Sequence, residues 1–282
     1  MKILSFDIEE WWSYDYYNIG LKKDYIPRLN SYLSQILDRL EELNTHATFF
    51  CLGAVANKYP QVIRKIHDKG HHIGCHSFSH KFWTNATYNE VENDTRIALD
   101  ILQNITGTKV DAYRAPAFSI TPKNTWIFEI LLNHGIKYDC SIFPASRSFG
   151  GYPDFNKSPV NISLNSGIIK EFPISIDNIF GKELTYAGGG YFRLLPYYLV
   201  SKYMKKNDYS MTYFHLSDLD KKQKRRFAPL NNENALIRYF KNYYGLNSAY
   251  AKFNRLLDDF DFISVKQADK QIDWANCKTI KY

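Results

Sequence analysis

Apolar residues run along this chain in two rhythms, short compact runs and longer stretches in which they recur every three or four positions. The first run, residues 2–6, carries Ile3, Leu4 and Phe6 and predicts a short buried strand. Ile26, Leu29, Leu33, Ile36, Leu37, Leu40 and Leu43 then fall at helical spacing, with Pro27 at the expected helix start. Residues 47–52 predict a second strand, and 60–69 a helix stopped by Gly70, which leads into a strand ending at Ile73 and Gly74. The order repeats with a helix near 88–104, a strand at 111–115, a helix near 122–134 and a strand at 136–141. Strands alternating with helices imply a parallel sheet, open or closed into a barrel.

Beyond Cys140 the rhythm loosens. Residues 144–167 hold Pro144, Gly150, Gly151, Pro153, Pro159 and Gly167, which predicts an irregular excursion with room for a hairpin. A strand is expected over 168–174, a helix over 196–206, and a last apolar strand over 210–215 ending in His215. The run Ala187-Gly188-Gly189-Gly190 is too flexible for an element interior and suits a close backbone approach to a ligand. Residues 235–260 carry a helical pattern, and 262–265 a closing strand. No linker or internal repeat divides the chain, so one domain spanning 1–282 is expected, with a helical C-terminal extension near 235–282.

Composition narrows the classes. A chain of 282 residues, 45% hydrophobic and 23% charged, can bury a full core. The 22 tyrosines and 19 phenylalanines suit packing in a strand-rich core, or sugar stacking at a surface. A net charge of +7 fits anionic partners, but no nucleic-acid motif accompanies it and none is expected as a partner. The run Lys221-Lys222-Gln223-Lys224-Arg225-Arg226 reads as a solvated loop, with peripheral contact to a membrane or lipid-linked substrate as the minor reading. Cys51, Cys75, Cys140 and Cys277 are too few and too scattered for a disulfide framework. No apolar run reaches membrane-spanning length, and the chain opens directly into a strand; a cytoplasmic protein is the expectation.

The chemistry gathers at predicted strand ends. His71, His72, His76 and His80 fall within ten residues, and on a helical turn the last two would share a face and could share a metal. Asp7 and Glu9 close the first strand, two apart and therefore on one side of an extended backbone; Glu10 is a rival ligand. Arg114 follows the fourth strand, Asp139 and Ser141 the fifth, and His215 the last. Ionisable groups at successive carboxyl ends of one parallel sheet converge on a single mouth. Cys75 alternates away from His76 and reads as packing, and His71 and His72 read as structural or exposed.

In these motifs the chain resembles the polysaccharide deacetylase family, which shares the NodB homology domain. Ser5-Phe6-Asp7-Ile8-Glu9 stands where that family has its acidic first motif, and His76-Ser77-Phe78-Ser79-His80 is similar to its metal-binding second. Arg114-Ala115-Pro116-Ala117-Phe118 looks like the third, Tyr138-Asp139-Cys140-Ser141 like the fourth and Phe214-His215 like the fifth. The stretch from Gly188 to Pro196 is similar to one in a bacterial branch associated with exopolysaccharide and surface-glycan synthesis. The chain departs from the family where Ile8 separates Asp7 from Glu9, and where Ala117-Phe118 replaces the usual glycine.

The resemblance implies a distorted, incomplete (β/α)7-type barrel and a metal-dependent hydrolase acting on an N-acyl group, the N-acetyl of an amino sugar foremost. It implies Glu9, His76 and His80 as ligands to a divalent ion, Zn²⁺ first and Co²⁺, Ni²⁺ or Fe²⁺ as alternatives. Asp7 becomes the base, Arg114 its partner, His215 the acid and Asp139 the group orienting His215. Substrate contacts are implied at Tyr113, Pro116, Tyr191, Arg193 and Leu216. From the expected location, a nucleotide- or lipid-linked glycan precursor is favoured over finished wall polymer. The alternatives are an allantoinase-like hydrolase of a non-sugar amide, and a glycan-binding protein without catalysis.

Overall fold

The computed structural model describes residues 1–9, 29–147, 150–223, 225 and 235–282. Its strands are β1 (Lys2–Ile3), β2 (Ser5–Ile8), β3 (Thr48–Cys51), β4 (His72–Cys75), β5 (Ala112–Tyr113), β6 (Tyr138–Asp139), β7 (Val160–Leu164), β8 (Gly167–Glu171), β9 (Ile176–Ile179), β10 (Lys182–Thr185), β11 (Ser210–Met211), β12 (Phe214–His215) and β13 (Thr279–Lys281). One sheet runs in the order β12-β2-β3-β4-β5-β6-β8-β7-β13. From β12 to β8 every pairing is parallel. The chain just past β8 then meets the last strand again: Ser175 N donates to Met211 O at 3.4 Å and Met211 N to Ser175 Oγ at 2.7 Å. These bonds join the two ends of the parallel run, and the fold is the expected (β/α)7-type barrel.

Two apolar clusters follow from strand alternation. Leu4, Phe6, Ile8, Phe49, Cys51, Cys75 and Tyr113 face outward and pack under the helices. Ile3, Phe50, Ala112, Phe172, Met211 and Tyr213 fill the lumen. The helix Leu29–Glu42 buries Leu29, Tyr32, Leu33, Ile36, Leu37 and Leu40, the three-and-four spacing seen in the sequence; its expected start at Ile26 and Pro27 lies outside the described residues. The helix Tyr88–Thr106 opens on a capping box between Thr87 and Glu90 and ends at Gly107, whose φ of 67° a side chain would strain.

The excursion after Cys140 contains the hairpin β7–β8, and β13 returns from the C-terminus to pair with β7, so the last segment is not wholly helical as expected. The pattern over 235–260 resolves into Ala235–Tyr243 and Leu246–Asp259, broken at Gly245. Residue Ile263 bridges to Ile3, but Val265 already begins the helix Val265–Asp269. The glycine run also differs from expectation. Gly188 caps the helix Gly189–Leu194, and the backbone it approaches is the protein's own: a Cβ on Gly188 would sit 2.5 Å from Tyr213 O. Phe192 on that helix buries fully against Phe214, which is why three glycines can open an ordered element.

Candidate active site

Every side chain of the mouth leaves the carboxyl end of a barrel strand. Asp7 is on β2 and Glu9 one residue beyond it; His76 follows β4, Arg114 follows β5, and His215 closes β12. Asp7 and Glu9 are 3% and 7% exposed, and Arg114 is fully buried. Burying such charges costs several kcal/mol unless each is compensated, so their partners define the site.

Glu9 Oε2 lies 2.6 Å from His80 Nε2 and 3.5 Å from His76 Nε2. One donor atom from each of the three residues falls within 4.8 Å of the others. His76 Nδ1 sits 2.7 Å from the carbonyl oxygen of Arg114, which can only accept, so Nδ1 carries the proton and the Nε2 lone pair faces Glu9. Two imidazoles and one carboxylate, buried together with one ring fixed in its ligating tautomer, are a donor set suited to a divalent ion such as Zn²⁺. Burial opposes ionisation of Glu9, but His80 and His215 outweigh it and hold the carboxyl well below its ordinary range.

The two histidines do not share a helix, contrary to the expectation from their spacing. They flank a tight loop in which Ser77 and His80 adopt φ values of 64° and 60°. Ser77 Oγ accepts from His80 N at 3.1 Å. Asp94, from the helix Tyr88–Thr106, accepts from Phe78 N at 2.7 Å, Ser79 N at 3.0 Å and Ser79 Oγ at 2.6 Å. That carboxylate ties down the ligand loop, and the sequence reading missed it because it looks like any acid on a helix.

Opposite the ligand set, Arg114 Nη1 donates to Asp7 Oδ1 at 2.7 Å and Nη2 to Ser5 Oγ at 2.9 Å, while its guanidinium stacks 4.1 Å over Phe50. His215 Nε2 lies 3.1 Å from Glu9 Oε1 and 3.9 Å from Asp7 Oδ2. Its Nδ1 meets Asp218 Oδ2 at 2.9 Å, and its backbone N–H donates to the same oxygen at 3.1 Å. Burial alone would lower the His215 pKa; Glu9, Asp218 and Asp7 overcome it and bring it up to about 9. Carboxylates at both ring nitrogens favour the protonated imidazole.

Several expected site residues are placed elsewhere. Asp139 pairs in register with Tyr113 and Glu171, and Tyr113 is packed in the outer core, so alternation turns Asp139 away from the mouth. It holds Ser141 N at 3.0 Å and Ser141 Oγ at 2.7 Å, and the carboxylate behind His215 is Asp218 instead. Tyr113 is fully buried and accepts from Trp83 Nε1 at 2.9 Å. Leu216 packs in the outer core, Pro116 is buried, and Arg193 is turned into the protein toward Asp218. Of the five expected substrate contacts, Tyr191 has an exposed side chain, at 36%. Glu10, the rival ligand, and Trp11 and Trp12 lie outside the described residues, as do Lys224 and Arg226 of the basic run. His71 packs on Phe49 and His72 meets Asp111 at 2.9 Å, both in structural roles.

Residues 17–138 match the sequence profile of the polysaccharide deacetylase family, and residues 140–270 match a domain of unknown function, DUF3473. The first match begins after Asp7 and Glu9 and contains His76, His80 and Arg114; the second contains Arg193, His215 and Asp218. Both contribute strands to the same sheet. A peptidoglycan-N-acetylglucosamine deacetylase of Bacillus cereus is 35% identical over 82 residues, 29% of this chain and 30% of that protein. The peptidoglycan-N-acetylmuramic acid deacetylase PdaC of Bacillus subtilis is 34% identical over 83 residues, 29% of this chain and 18% of that protein. The chain thus matches less than a third of either relative's length. A solved structure from Mycobacterium smegmatis, assigned to the polysaccharide deacetylases, superposes with a TM-score of 0.65 at 14% identity, over 98% of this chain and 91% of that one. A CE4 family pseudoenzyme from Bacillus anthracis superposes at 0.51 and 12% identity, over 99% and 67%.

Proposed function

We propose, on the premise that the chain belongs to the polysaccharide deacetylase family through residues 17–138, that it is a metal-dependent hydrolase removing the N-acetyl group of an amino sugar in a glycan or glycan precursor. One observation carries this reading. A buried acid–arginine pair, Asp7–Arg114, and the His215 imidazole, 3.9 Å from Asp7, stand beside a two-histidine, one-carboxylate donor set.

Glu9, His76 and His80 would hold the ion, and a divalent ion there supplies a water of lowered pKa and a Lewis acid for the acyl oxygen. Asp7 accepts the proton of the attacking water. Arg114, bonded to Oδ1, holds that carboxylate in place and leaves Oδ2 turned toward His215. His215 then donates its Nε2 proton to the departing amine, which cannot leave as an anion. A base and an acid must flank the bond that breaks, and Asp7 and His215 take those two roles.

Peptidoglycan amino sugars enter as substrates through the names of the curated relatives, and nucleotide- or lipid-linked precursors through the sequence reading. No helix among the described residues is long and apolar enough to cross a membrane. The test is acetate release by protein reconstituted with Zn²⁺ or Co²⁺, over free, nucleotide-linked and oligomeric N-acetylhexosamines. Release abolished by Asp7→Asn supports the reading. Metal-bound protein silent on all of them, yet active on a small cyclic amide, replaces the sugar with the allantoinase-like alternative. A pseudoenzyme is disfavoured because Asp7, Arg114 and His215 are all present and joined.

A further inference from the structure

Behind His215 the contacts continue inward. Asp218 Oδ2 takes the imidazole Nδ1 and the His215 backbone N–H, and its other oxygen, Oδ1, accepts from Arg193 Nε at 3.0 Å. Asp218 and Arg193 are 6% and 7% exposed, so this ion pair is shielded from solvent. The remaining guanidinium nitrogens are also engaged: Nη1 donates to Asn242 O at 2.5 Å and Tyr244 O at 3.3 Å, and Nη2 to Lys241 O at 3.1 Å. Lys241 and Asn242 lie in the last turn of the helix Ala235–Tyr243, whose carbonyls have no intrahelical donors, and Tyr244 follows it directly.

Arg193 is itself held from below. Lys252, on the helix Leu246–Asp259, donates to the carbonyls of Phe192 at 2.8 Å, Arg193 at 3.1 Å and Leu195 at 2.8 Å, at the end of the helix Gly189–Leu194. Two helix ends are thus closed by cations from neighbouring helices, and one of those cations reaches the carboxylate that orients the imidazole. A carboxylate alone on a flexible turn could rotate; one gripped through its second oxygen by a planar guanidinium, itself anchored on a helix end, cannot.

From this connected set of bonds we infer that Arg193 is a positioning residue for the acid half of the reaction, fixing Asp218 so that His215 presents its Nε2 proton to the leaving group. The inference rests on the deacetylase reading for its kinetic consequence but not for its structural one. It also gives a task to part of the region matching a domain of unknown function: the helices Gly189–Leu194 and Leu246–Asp259 and the end of Ala235–Tyr243 hold the acid in place.

The test compares substrates by how much acid help their leaving groups need. An N-acetyl sugar expels an amine and depends on His215; 4-nitrophenyl acetate expels a stable phenolate and does not. Arg193→Met is expected to lower kcat on N-acetylglucosamine oligomers roughly 10- to 100-fold, the range seen when the partner behind a metal-ligating histidine is lost. Turnover of 4-nitrophenyl acetate and metal content should stay within about threefold of the parent, and Arg193→Lys should recover part of the loss. In an Asp218→Asn background Arg193→Met should add little. Equal loss on both substrates, or full additivity with Asp218→Asn, overturns the inference. A readout independent of substrate and metal is the His215 Nδ1 proton in the NMR spectrum of metal-free protein. It should exchange slowly in the parent and rapidly in Arg193→Met, and unchanged exchange overturns the inference even if no acetylated sugar is ever turned over.

Discussion

Arg114 Nη1 and Asp7 Oδ1 meet at 2.7 Å, with side chains 0% and 4% exposed. The two residues are 107 apart in sequence, on strands separated by β3 and β4, so only the curvature of the barrel brings them together. Phe50 and Ser5 fix the guanidinium from two further sides. The contact serves fold and chemistry together, because the guanidinium that compensates the burial of Asp7 also aims it.

Asp7→Asn retains an oxygen for Arg114 to bond and leaves Glu9, His76 and His80 untouched. It should keep full metal occupancy while turnover falls about a hundred- to ten-thousandfold, the contribution of a positioned base. Near-parental turnover would remove Asp7 from that role. Arg114→Met strips a buried carboxylate of its partner and should cost about 3–5 kcal/mol in denaturant unfolding.

His76→Ala and His80→Ala should lose metal and activity together, measured by elemental analysis alongside acetate release. Asp94→Asn is the more discriminating variant. Asp94 touches no ligand atom, yet it holds two N–H groups and a hydroxyl in the loop between the histidines. Metal affinity should drop about 10- to 100-fold, as for other groups supporting a ligand loop, with the ligands themselves intact. Unchanged affinity would mean that the loop keeps its shape without this anchor.

These contacts also mark the limit of what the sequence discloses. Asp7, Glu9, His76, His80, Arg114 and His215 were legible because strand ends announce themselves through apolar runs that stop at ionisable residues. The barrel was legible for the same reason. Asp94 and Asp218 were not, since a carboxylate on a polar helix face or three residues past a histidine has no periodicity to distinguish it. Tyr113 and Asp139 were assigned to the mouth by their neighbours in motifs, although alternation next to Arg114 already turned Tyr113 outward. Arg193 reads as a substrate contact by resemblance alone, and its actual partners stay hidden in the sequence because the helix end it closes is distant along the chain.

Asp139 and Glu171 lie side by side in register, both fully buried, with Glu171 Oε1 accepting from Ile142 N at 3.2 Å. Burial first, and then the neighbouring Asp139, push the Glu171 pKa well above its ordinary 4.5. The folded protein therefore binds more protons here than the unfolded chain. The stability associated with this carboxyl is fully present below pH 4.5 and declines as pH rises toward the raised folded value. Glu171→Gln mimics the protonated form, so it should melt about 2–4 °C higher than the parent at pH 8, with the gap closing near pH 4.5. A gap independent of pH would show that Glu171 keeps no extra proton in the folded state.

Gly74 on β4 has no special backbone angle to require glycine; what it lacks is space. A Cβ there would lie 2.6 Å from Phe50 Cδ1 and 2.8 Å from Cε1, and Phe50 is the ring on which Arg114 rests. Gly74→Ala must therefore displace the ring that Arg114 contacts, costing about 1–3 kcal/mol of overpacking. The companion change Phe50→Leu makes room. If the clash is the cause, the double variant should be more stable than the sum of the single losses predicts, by about 0.5–3 kcal/mol in a double-mutant cycle. Simple additivity would place the cost of Gly74→Ala in the strand itself and not in the stack beneath Arg114.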